Sequence, residues 1–162
     1  ALSPALRNRL IETQNGTGFV LAFKEESGNG KDVTITAGDV RRLQLAKGSI
    51  HAAIQTMIRA AGASDETLDE ILLAGAFGNY IRVESAIRIG LIPSIPADRV
   101  KSVGNAAGVG ARLALLSDQE MRQARTLAES VNYIELAVSA DYQAELMERM
   151  MFPLSQENGR VC

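Results

Sequence analysis

The sequence predicts an α/β fold in which a mixed sheet carries helices on its faces. Three observations predict it: a series of short strand-like segments at the start, a long pattern with helical spacing after them, and two later apolar segments that each lead into a helix. Three antiparallel strands followed by right-handed βα units give the order βββαβαβα, with one extra α-β-α at the end.

The first 36 residues are predicted to form strands. Segments 9–13 and 19–23 flank Gln14-Asn15-Gly16-Thr17-Gly18, and Asn-Gly between two such segments is the strongest short signal for a hairpin. Residues 32–36 alternate with period two. They supply the third antiparallel strand.

A long helix follows, capped by Thr36 with Asp39 three residues on, and it runs to about residue 61, where Gly62 ends it. Lys47 falls on its apolar stripe, and Gln44 lies three residues before it. Two interpretations stay open: Lys47 extends along the edge of the core, or the two residues turn a polar patch toward a ligand cleft. The stripe itself has helical spacing and consists of Val40, Leu43, Ile50, Ile54, Met57 and Ala61.

The next segment combines a short apolar strand with a glycine-rich turn, Ile71-Leu72-Leu73-Ala74-Gly75-Ala76-Phe77-Gly78-Asn79-Tyr80. Glycine permits positive φ and places no Cβ between the backbone and a ligand. Free N–H groups in such a turn also suit anions. A tight turn in which both glycines serve packing only is an equally open interpretation.

A short helix over 83–89, a proline-containing loop at 91–98 and a strand over 100–103 come next. The helix after them begins with nearly continuous small residues, Gly104-Asn105-Ala106-Ala107-Gly108-Val109-Gly110-Ala111. We expect Gly104, Ala107, Gly108 and Ala111 to lie where backbones crowd, against a neighbouring helix or against a phosphate.

The last third of the chain is predicted to contain two capped helices and one strand. Ser117 caps a helix to about residue 130, residues 132–138 form a last strand, and Ser139 caps a final helix over 140–151. Residues 153–162 are predicted to be a frayed tail, and residues 1–162 a single domain.

Composition excludes several functional classes. With 17 Lys+Arg against 19 Asp+Glu, the 162-residue chain makes no electrostatic case for a nucleic acid or an anionic membrane. No apolar run approaches the roughly 18 residues that span a bilayer, and no signal peptide is visible, so we expect a cytoplasmic location. One Cys, Cys162, and one His, His51, predict no metal site on this chain alone.

The order of elements is the pattern of the ribonuclease-H-like fold, which also forms each half of the actin-like ATPases. The chain has no G-x-x-x-x-G-K-[ST] segment, which excludes a P-loop, and Gly75 with Gly78 does not fit G-x-G-x-x-G. Fold alone does not give function.

Four segments carry a resemblance to a known family: Asp39-Val40-Arg41-Arg42-Leu43-Gln44-Leu45-Ala46-Lys47, Leu73-Ala74-Gly75-Ala76-Phe77-Gly78-Asn79-Tyr80, Ile89-Gly90-Leu91-Ile92-Pro93 and Ser102-Val103-Gly104-Asn105-Ala106-Ala107-Gly108. Over residues 9–153 the chain resembles the C-terminal part of the reductive activators of corrinoid proteins. These belong to the superfamily of acetate and sugar kinases, heat-shock chaperones and actin. The resemblance implies ATP with Mg²⁺ as a cofactor, a [2Fe–2S] domain in a preceding part, and reduction of a Co(II) corrinoid to Co(I).

The resemblance also implies site residues. The nucleotide would contact the glycine turn and the polar face of the long helix, that is Gln44, Lys47, Gly75, Ala76, Phe77, Gly78 and Asn79. The interface between lobes would include Gly104, Asn105, Ala107 and Gly108. Phosphate loops, the catalytic carboxylate and the Mg²⁺ site are not recognisable, so we expect this part alone to be a poor catalyst.

Three functions therefore stay open. The first is the nucleotide-binding lobe of a corrinoid-activating ATPase, with a corrinoid protein or corrinoid methyltransferase as its partner. The second is a lobe of a small-molecule kinase of the same superfamily. The third is a non-catalytic module that binds a corrinoid protein or a second copy of itself as a homodimer.

Overall fold

The structure is a computed structural model that describes residues 3–14 and 16–153. The predicted frayed tail lies outside these residues from position 154 onward. Two short 3-10 turns, Asp65–Thr67 and Ala97–Arg99, precede the two strands of the second half. The elements in chain order are α1 (Pro4–Arg7), β1 (Leu10–Thr13), β2 (Gly16–Ala22), β3 (Val33–Thr36), α2 (Ala37–Ala60), β4 (Ile71–Ala74), α3 (Gly75–Tyr80), α4 (Val83–Arg88), β5 (Val100–Gly104), α5 (Ala106–Leu116), α6 (Asp118–Ser130) and α7 (Ala140–Arg149).

The strands form two sheets. β1, β2 and β3 form an antiparallel sheet in that order, whereas β4 and β5 pair in parallel. The sequence predicted both antiparallel and parallel pairing, but within one mixed sheet instead of two separate sheets. Among the described residues, β1 and β4 are edge strands that each pair on one side only. Each has four residues, so pairing between them would add few hydrogen bonds, and the two sheets stay separate. The prediction of strands alone before residue 36 also missed α1, which has Pro4 at its first position.

The hydrophobic core lies between α4, the loop after it and one face of β4 and β5. Ile71 and Leu73 of β4 pack against it, while Leu72 points to the other face and is 57% exposed. The apolar segment of β4 is therefore buried on one face only, because side chains alternate along a strand and this core covers one side. The buried members of the core are Ala86, Leu91, Ile92, Ile95 and Val100.

Helix α2 begins as the sequence predicts. The Thr36 side chain accepts a hydrogen bond from the Asp39 backbone N–H, and the Asp39 carboxylate accepts one from the Thr36 N–H, which completes a capping box. Gly62, with φ +67°, follows the end of the helix. Both ends are thus set by residues near them in the sequence.

The buried face of α2 differs from the predicted apolar stripe. Ile50 is 43% exposed and Met57 is 50% exposed. Helix α7 packs on a face of small and polar residues instead, and a Cβ placed on Gly48 would lie 3.2 Å from the Met150 Cα. Two helix backbones approach this closely only where side chains are small. The buried residues of α2 are Lys47, Gly48, His51, Ala52, Gln55, Thr56 and Ile58.

The predicted strand over 132–138 is wrong: these residues carry no strand. The Glu135 carboxylate accepts hydrogen bonds from the Tyr133 hydroxyl and from the Ala137 backbone N–H. Such local side-chain bonds compete with a ladder for the backbone. The segment is instead an exposed connection between α6 and α7.

The small residues of α5 do not crowd another backbone. Ala107, Gly108 and Ala111 are exposed, and no residue of α5 is buried. The Asn105 side chain caps the helix by accepting from the Gly108 N–H at 3.0 Å. A Cβ on Gly108 would meet this cap, 2.5 Å from the Asn105 Nδ2. The prediction of backbone crowding is therefore wrong for these positions, and the cap is the constraint at Gly108.

None of the helices in residues 3–14 and 16–153 combines the length and the apolar character needed to cross a membrane.

Candidate functional site

A cleft separates α2 from the chain that runs from the end of α3 through α4. Its volume is about 380 Å³, within the range of small-molecule sites. One wall is the first half of α2 and the other is the segment after the glycine turn. The lining residues are Leu43, Ala46, Lys47, Ile50, Tyr80, Ile81, Arg82, Ser85, Ala86, Ile89 and Leu91.

The lining of the cleft is mostly apolar and contains no acidic residue. Arg82 is exposed, and Tyr80 is 87% exposed and supplies an aromatic ring. Ser85 adds one hydroxyl. Apolar walls with a few polar groups suit a planar organic ligand, and an arginine without an acidic neighbour in the lining suits a ligand that carries negative charge.

A second concavity runs along α6. Its volume is about 460 Å³, but every lining residue comes from that single helix. A site formed by one helix face cannot enclose a ligand between two walls. The cleft beside α2 is therefore the candidate site.

The two glycines of the turn have different surroundings. Gly75 opens α3 with φ +84°, and no atom lies within 4 Å of a Cβ placed there. Gly78 is buried, and a Cβ on it would lie 2.8 Å from the Leu73 carbonyl oxygen. Gly78 thus serves close packing of α3 on β4, whereas Gly75 faces open space. The packing interpretation of the turn therefore holds for Gly78, and ligand access at Gly75 stays a prediction.

Lys47 lies at the cleft, as one interpretation of its sequence context expected, but its ammonium binds the end of α7. It lines the cleft, yet it is 1% exposed, and its ammonium donates to the carbonyl oxygens of Arg149 and Met151 at the end of α7. The Phe152 ring centroid lies 5.3 Å from its Nζ. Burial, together with the nearby Arg149 guanidinium, lowers the pKa of Lys47. Gln44 is half-buried and does not line the cleft.

The other predicted site residues whose side chains the structure describes are not in the cleft lining. Ala76 is exposed on α3, and the side chains of Phe77 and Asn79 lie outside the described atoms. Gly104 is half-buried with φ +60°, and Asn105 caps α5. The structure thus brings Lys47 to the cleft, and it brings the end of α3 there through Tyr80.

His51 lies one turn after Lys47 and is 5% exposed. Its Nδ1 is 3.1 Å from the Gly90 carbonyl oxygen and donates to it, whereas its Nε2 has no partner among the described residues. Burial, followed by the positive charge of Arg149, lowers the pKa of His51 below its ordinary value. The neutral ring is therefore a packed residue between α2 and the chain after α4.

Comparisons with known proteins place these features in a family. Residues 2–159 match the model of the family described as "C-terminal domain of RACo the ASKHA domain". The chain belongs to this family. It is 38% identical over 148 residues to a protein of Eubacterium limosum named "Corrinoid activation enzyme RamQ", covering 91% of the chain and 25% of that protein.

A second relative of this ASKHA domain is the "[Co(II) methylated amine-specific corrinoid protein] reductase" of Methanosarcina barkeri. It is 29% identical over 115 residues, which are 70% of the chain and 21% of that protein. The solved structure titled "Reductive activator for corrinoid,iron-sulfur protein" superposes with a TM-score of 0.80 at 37% identity and covers 91% of the chain and 23% of its own. The predicted actin-like α/β class is confirmed. The chain spans about a quarter of the length of these relatives.

The cofactors implied for such an ASKHA domain fit this chain only in part. The apolar cleft and the open space at Gly75 fit the adenosine part of a nucleotide. No group of three or more His, Cys, Asp or Glu residues in the described ranges could hold a metal ion. The single cysteine of the chain, Cys162, cannot supply the several thiolates that a [2Fe–2S] cluster needs.

Among the cleft residues of this ASKHA domain, sequence reasoning predicted only Lys47, and the polar ones that it missed are Tyr80, Arg82 and Ser85. A signal for them was present, because Tyr80 and Arg82 follow the glycine turn directly and Ser85 lies in the first turn of the helix after it. A strand that ends in such a turn places the residues just beyond it at the same end of the sheet.

Proposed function

We propose that this chain is the nucleotide-binding lobe of an ATP-dependent activator that drives the reduction of a Co(II) corrinoid to Co(I). The observation that carries the proposal is the two-walled apolar cleft between α2 and α4, in a chain that belongs to the RACo ASKHA family. The names of its relatives support the corrinoid half of this proposal.

The residues of the cleft have separate roles in this proposal. Leu43 and Ile50 on one wall and Ile89 on the other hold the adenine between apolar surfaces and exclude water from it. Arg82 offers a cation to the anionic part of the ligand. Gly75 lets the ligand approach the backbone, because no side chain stands there.

The remaining parts of the reaction belong to the rest of the full-length protein. Mg²⁺, and the phosphate contacts other than that of Arg82, would be supplied by groups outside the described residues. A [2Fe–2S] cluster, when bound in the preceding part, supplies the electron. The corrinoid protein or corrinoid methyltransferase is the proposed partner, and the exposed α5, with its small residues Ala107 and Gly108, is the proposed contact with the other lobe. A cytoplasmic location and a homodimer remain predictions.

A cleft-filling substitution tests the proposal. Ala46 is exposed and lines the cleft from α2, so Ala46→Phe would occupy the adenine position without disturbing the core. Its neighbour Leu45 is 53% exposed and does not line the cleft, so Leu45→Phe is the matched control. ATP affinity of the full-length protein is measured by calorimetry, and Co(I) formation by absorbance.

The expected result is loss of ATP binding and of ATP-dependent Co(I) formation in Ala46→Phe alone. Equal ATP affinity in both variants would refute the cleft as the nucleotide site. Phosphorylation of acetate or a sugar by a protein that leaves Co(II) unreduced would instead support a small-molecule kinase. If the parent protein binds no nucleotide, the remaining interpretation is a non-catalytic module.

A further inference from the structure

One stripe of α2 connects this helix to three other parts of the chain. Lys47, His51, Gln55 and Arg59 recur every four residues and therefore share a face. Lys47 binds two carbonyls at the end of α7, and Arg59 binds Glu145 in the middle of that helix. His51 binds the Gly90 carbonyl, and Gln55 donates to the Asp65 carboxylate at 2.8 Å. All of these partners lie outside α2. The stripe is thus a polar seam between α2 and its neighbours.

Three chain segments meet at Gly90, near the Lys47 end of the seam. A Cβ on this residue, whose φ is +70°, would lie 3.0 Å from the Pro153 Cγ and 3.6 Å from the Lys47 Nζ. The carbonyl of Gly90 accepts from His51. Its neighbours Ile89 and Leu91 line the cleft. Residues 149–153 therefore pack directly behind one wall of the cleft.

Lys47 connects the cleft with these residues. Its side chain lines the cleft, while its ammonium satisfies carbonyl oxygens at the end of α7 that have no partner within that helix. A buried ammonium must keep its partners, since an unpaired buried charge is strongly destabilising. The position of the ammonium therefore constrains both the cleft wall and residues 149–153.

We propose that Lys47 is a positioning residue that couples the docking of residues 149–153 to nucleotide binding in the cleft. This proposal rests on the proposed function. Docked residues 149–153 hold Gly90, and thereby Ile89 and Leu91, in the geometry that the ligand needs. By linkage, a ligand that favours this geometry must strengthen the docking of residues 149–153 in return.

The test is a double-mutant cycle in the full-length protein. Lys47→Met keeps an unbranched side chain against the cleft but removes the ammonium. Phe152→Ala removes the ring beside that ammonium without touching the cleft lining. Arg59→Gln is the matched control, because it loosens α7 at Glu145, away from the cleft. ATP affinity is measured by calorimetry, and the docking of residues 140–153 by amide hydrogen exchange with and without ATP.

If Lys47 acts through residues 149–153, Lys47→Met and Phe152→Ala each weaken ATP binding, with about a tenfold loss for Lys47→Met, and the double variant is no worse than Lys47→Met. ATP increases amide protection of residues 149–153 in the parent and in Arg59→Gln, but not in Lys47→Met. Arg59→Gln lowers the protection of α7 and retains the parent ATP affinity.

Three results would overturn the proposal, and the last of them is distinguishable from the other two. Additive losses in the double variant, or an unchanged exchange of residues 149–153 on adding ATP, would show that Lys47 does not act through them. A parent protein that binds no ATP would remove the coupling together with the proposed function. In that case, exchange without nucleotide still reports whether Lys47 holds the segment.

Discussion

Substitutions at the two glycines of the turn should separate packing from ligand access. Gly78→Ala places a Cβ 2.8 Å from the Leu73 carbonyl oxygen and 3.0 Å from its carbonyl carbon, distances at which backbone must move. Overpacking of this kind costs about 1–3 kcal/mol. A Cβ placed on Gly75 meets no non-neighbouring atom within 4 Å, and asparagine tolerates positive φ better than most residues. We expect Gly75→Asn to cost about 1 kcal/mol or less of stability.

Gly78→Ala should lose more stability than Gly75→Asn, and Gly75→Asn should lose more ATP affinity than Gly78→Ala. Urea unfolding of the full-length protein should show the larger loss of stability for Gly78→Ala. Calorimetric titration with ATP should show the larger loss of affinity for Gly75→Asn, because its side chain occupies the space into which Gly75 opens. A Gly78→Ala protein as stable as the parent, or a folded Gly75→Asn protein that binds ATP normally, would refute this account of the turn.

Three further predictions concern stability. Burial and Arg149 lower the pKa of His51 below its usual 6.5, so the unfolded chain binds the proton of this ring more readily than the folded chain. Stability should therefore fall as pH decreases from about 6.5 toward the lower folded pKa. Melting curves of His51→Asn should show a smaller decrease in stability over the same pH range. Burial opposes ionisation of Glu145, but its hydrogen bonds with Arg149 and Arg59 outweigh burial and lower its pKa. Glu145→Gln should therefore lower the free energy of unfolding in urea by about 1–3 kcal/mol. A loss near zero would refute the importance of these two ion pairs. Gly108→Leu should lower stability by at most about 1 kcal/mol, because it disturbs only the Asn105 cap. A much larger loss of stability in melting experiments would support the crowding of backbones at this position instead.

Features set by neighbouring residues were predictable from the sequence. The capping box of Thr36 and Asp39 spans three residues, and so does the cap that Ser117 provides at Glu120. The strand predicted at 132–138 is a local exception, because the hydrogen bonds of Glu135 compete with a ladder and β-propensity does not include them.

Features set by distant residues were not predictable. The partner of Lys47 at Arg149 is 102 positions away in the chain, so no local pattern could place its ammonium. The buried face of α2 is also chosen by α7, whose backbone approaches Gly48, rather than by the apolar residues of α2 itself. The cleft could be placed only in part, because it depends on how α2 packs beside α4.

Photoaffinity labelling tests the central claim most directly. The full-length protein is irradiated with an ATP analogue that carries an azide on its adenine ring, and the labelled peptides are mapped by mass spectrometry. Our account predicts that labelled peptides include residues 43–50 of α2 and residues 80–91 around α4, and that excess ATP suppresses this labelling. Labelling that ATP suppresses elsewhere in the protein, with none in these two segments, would contradict it.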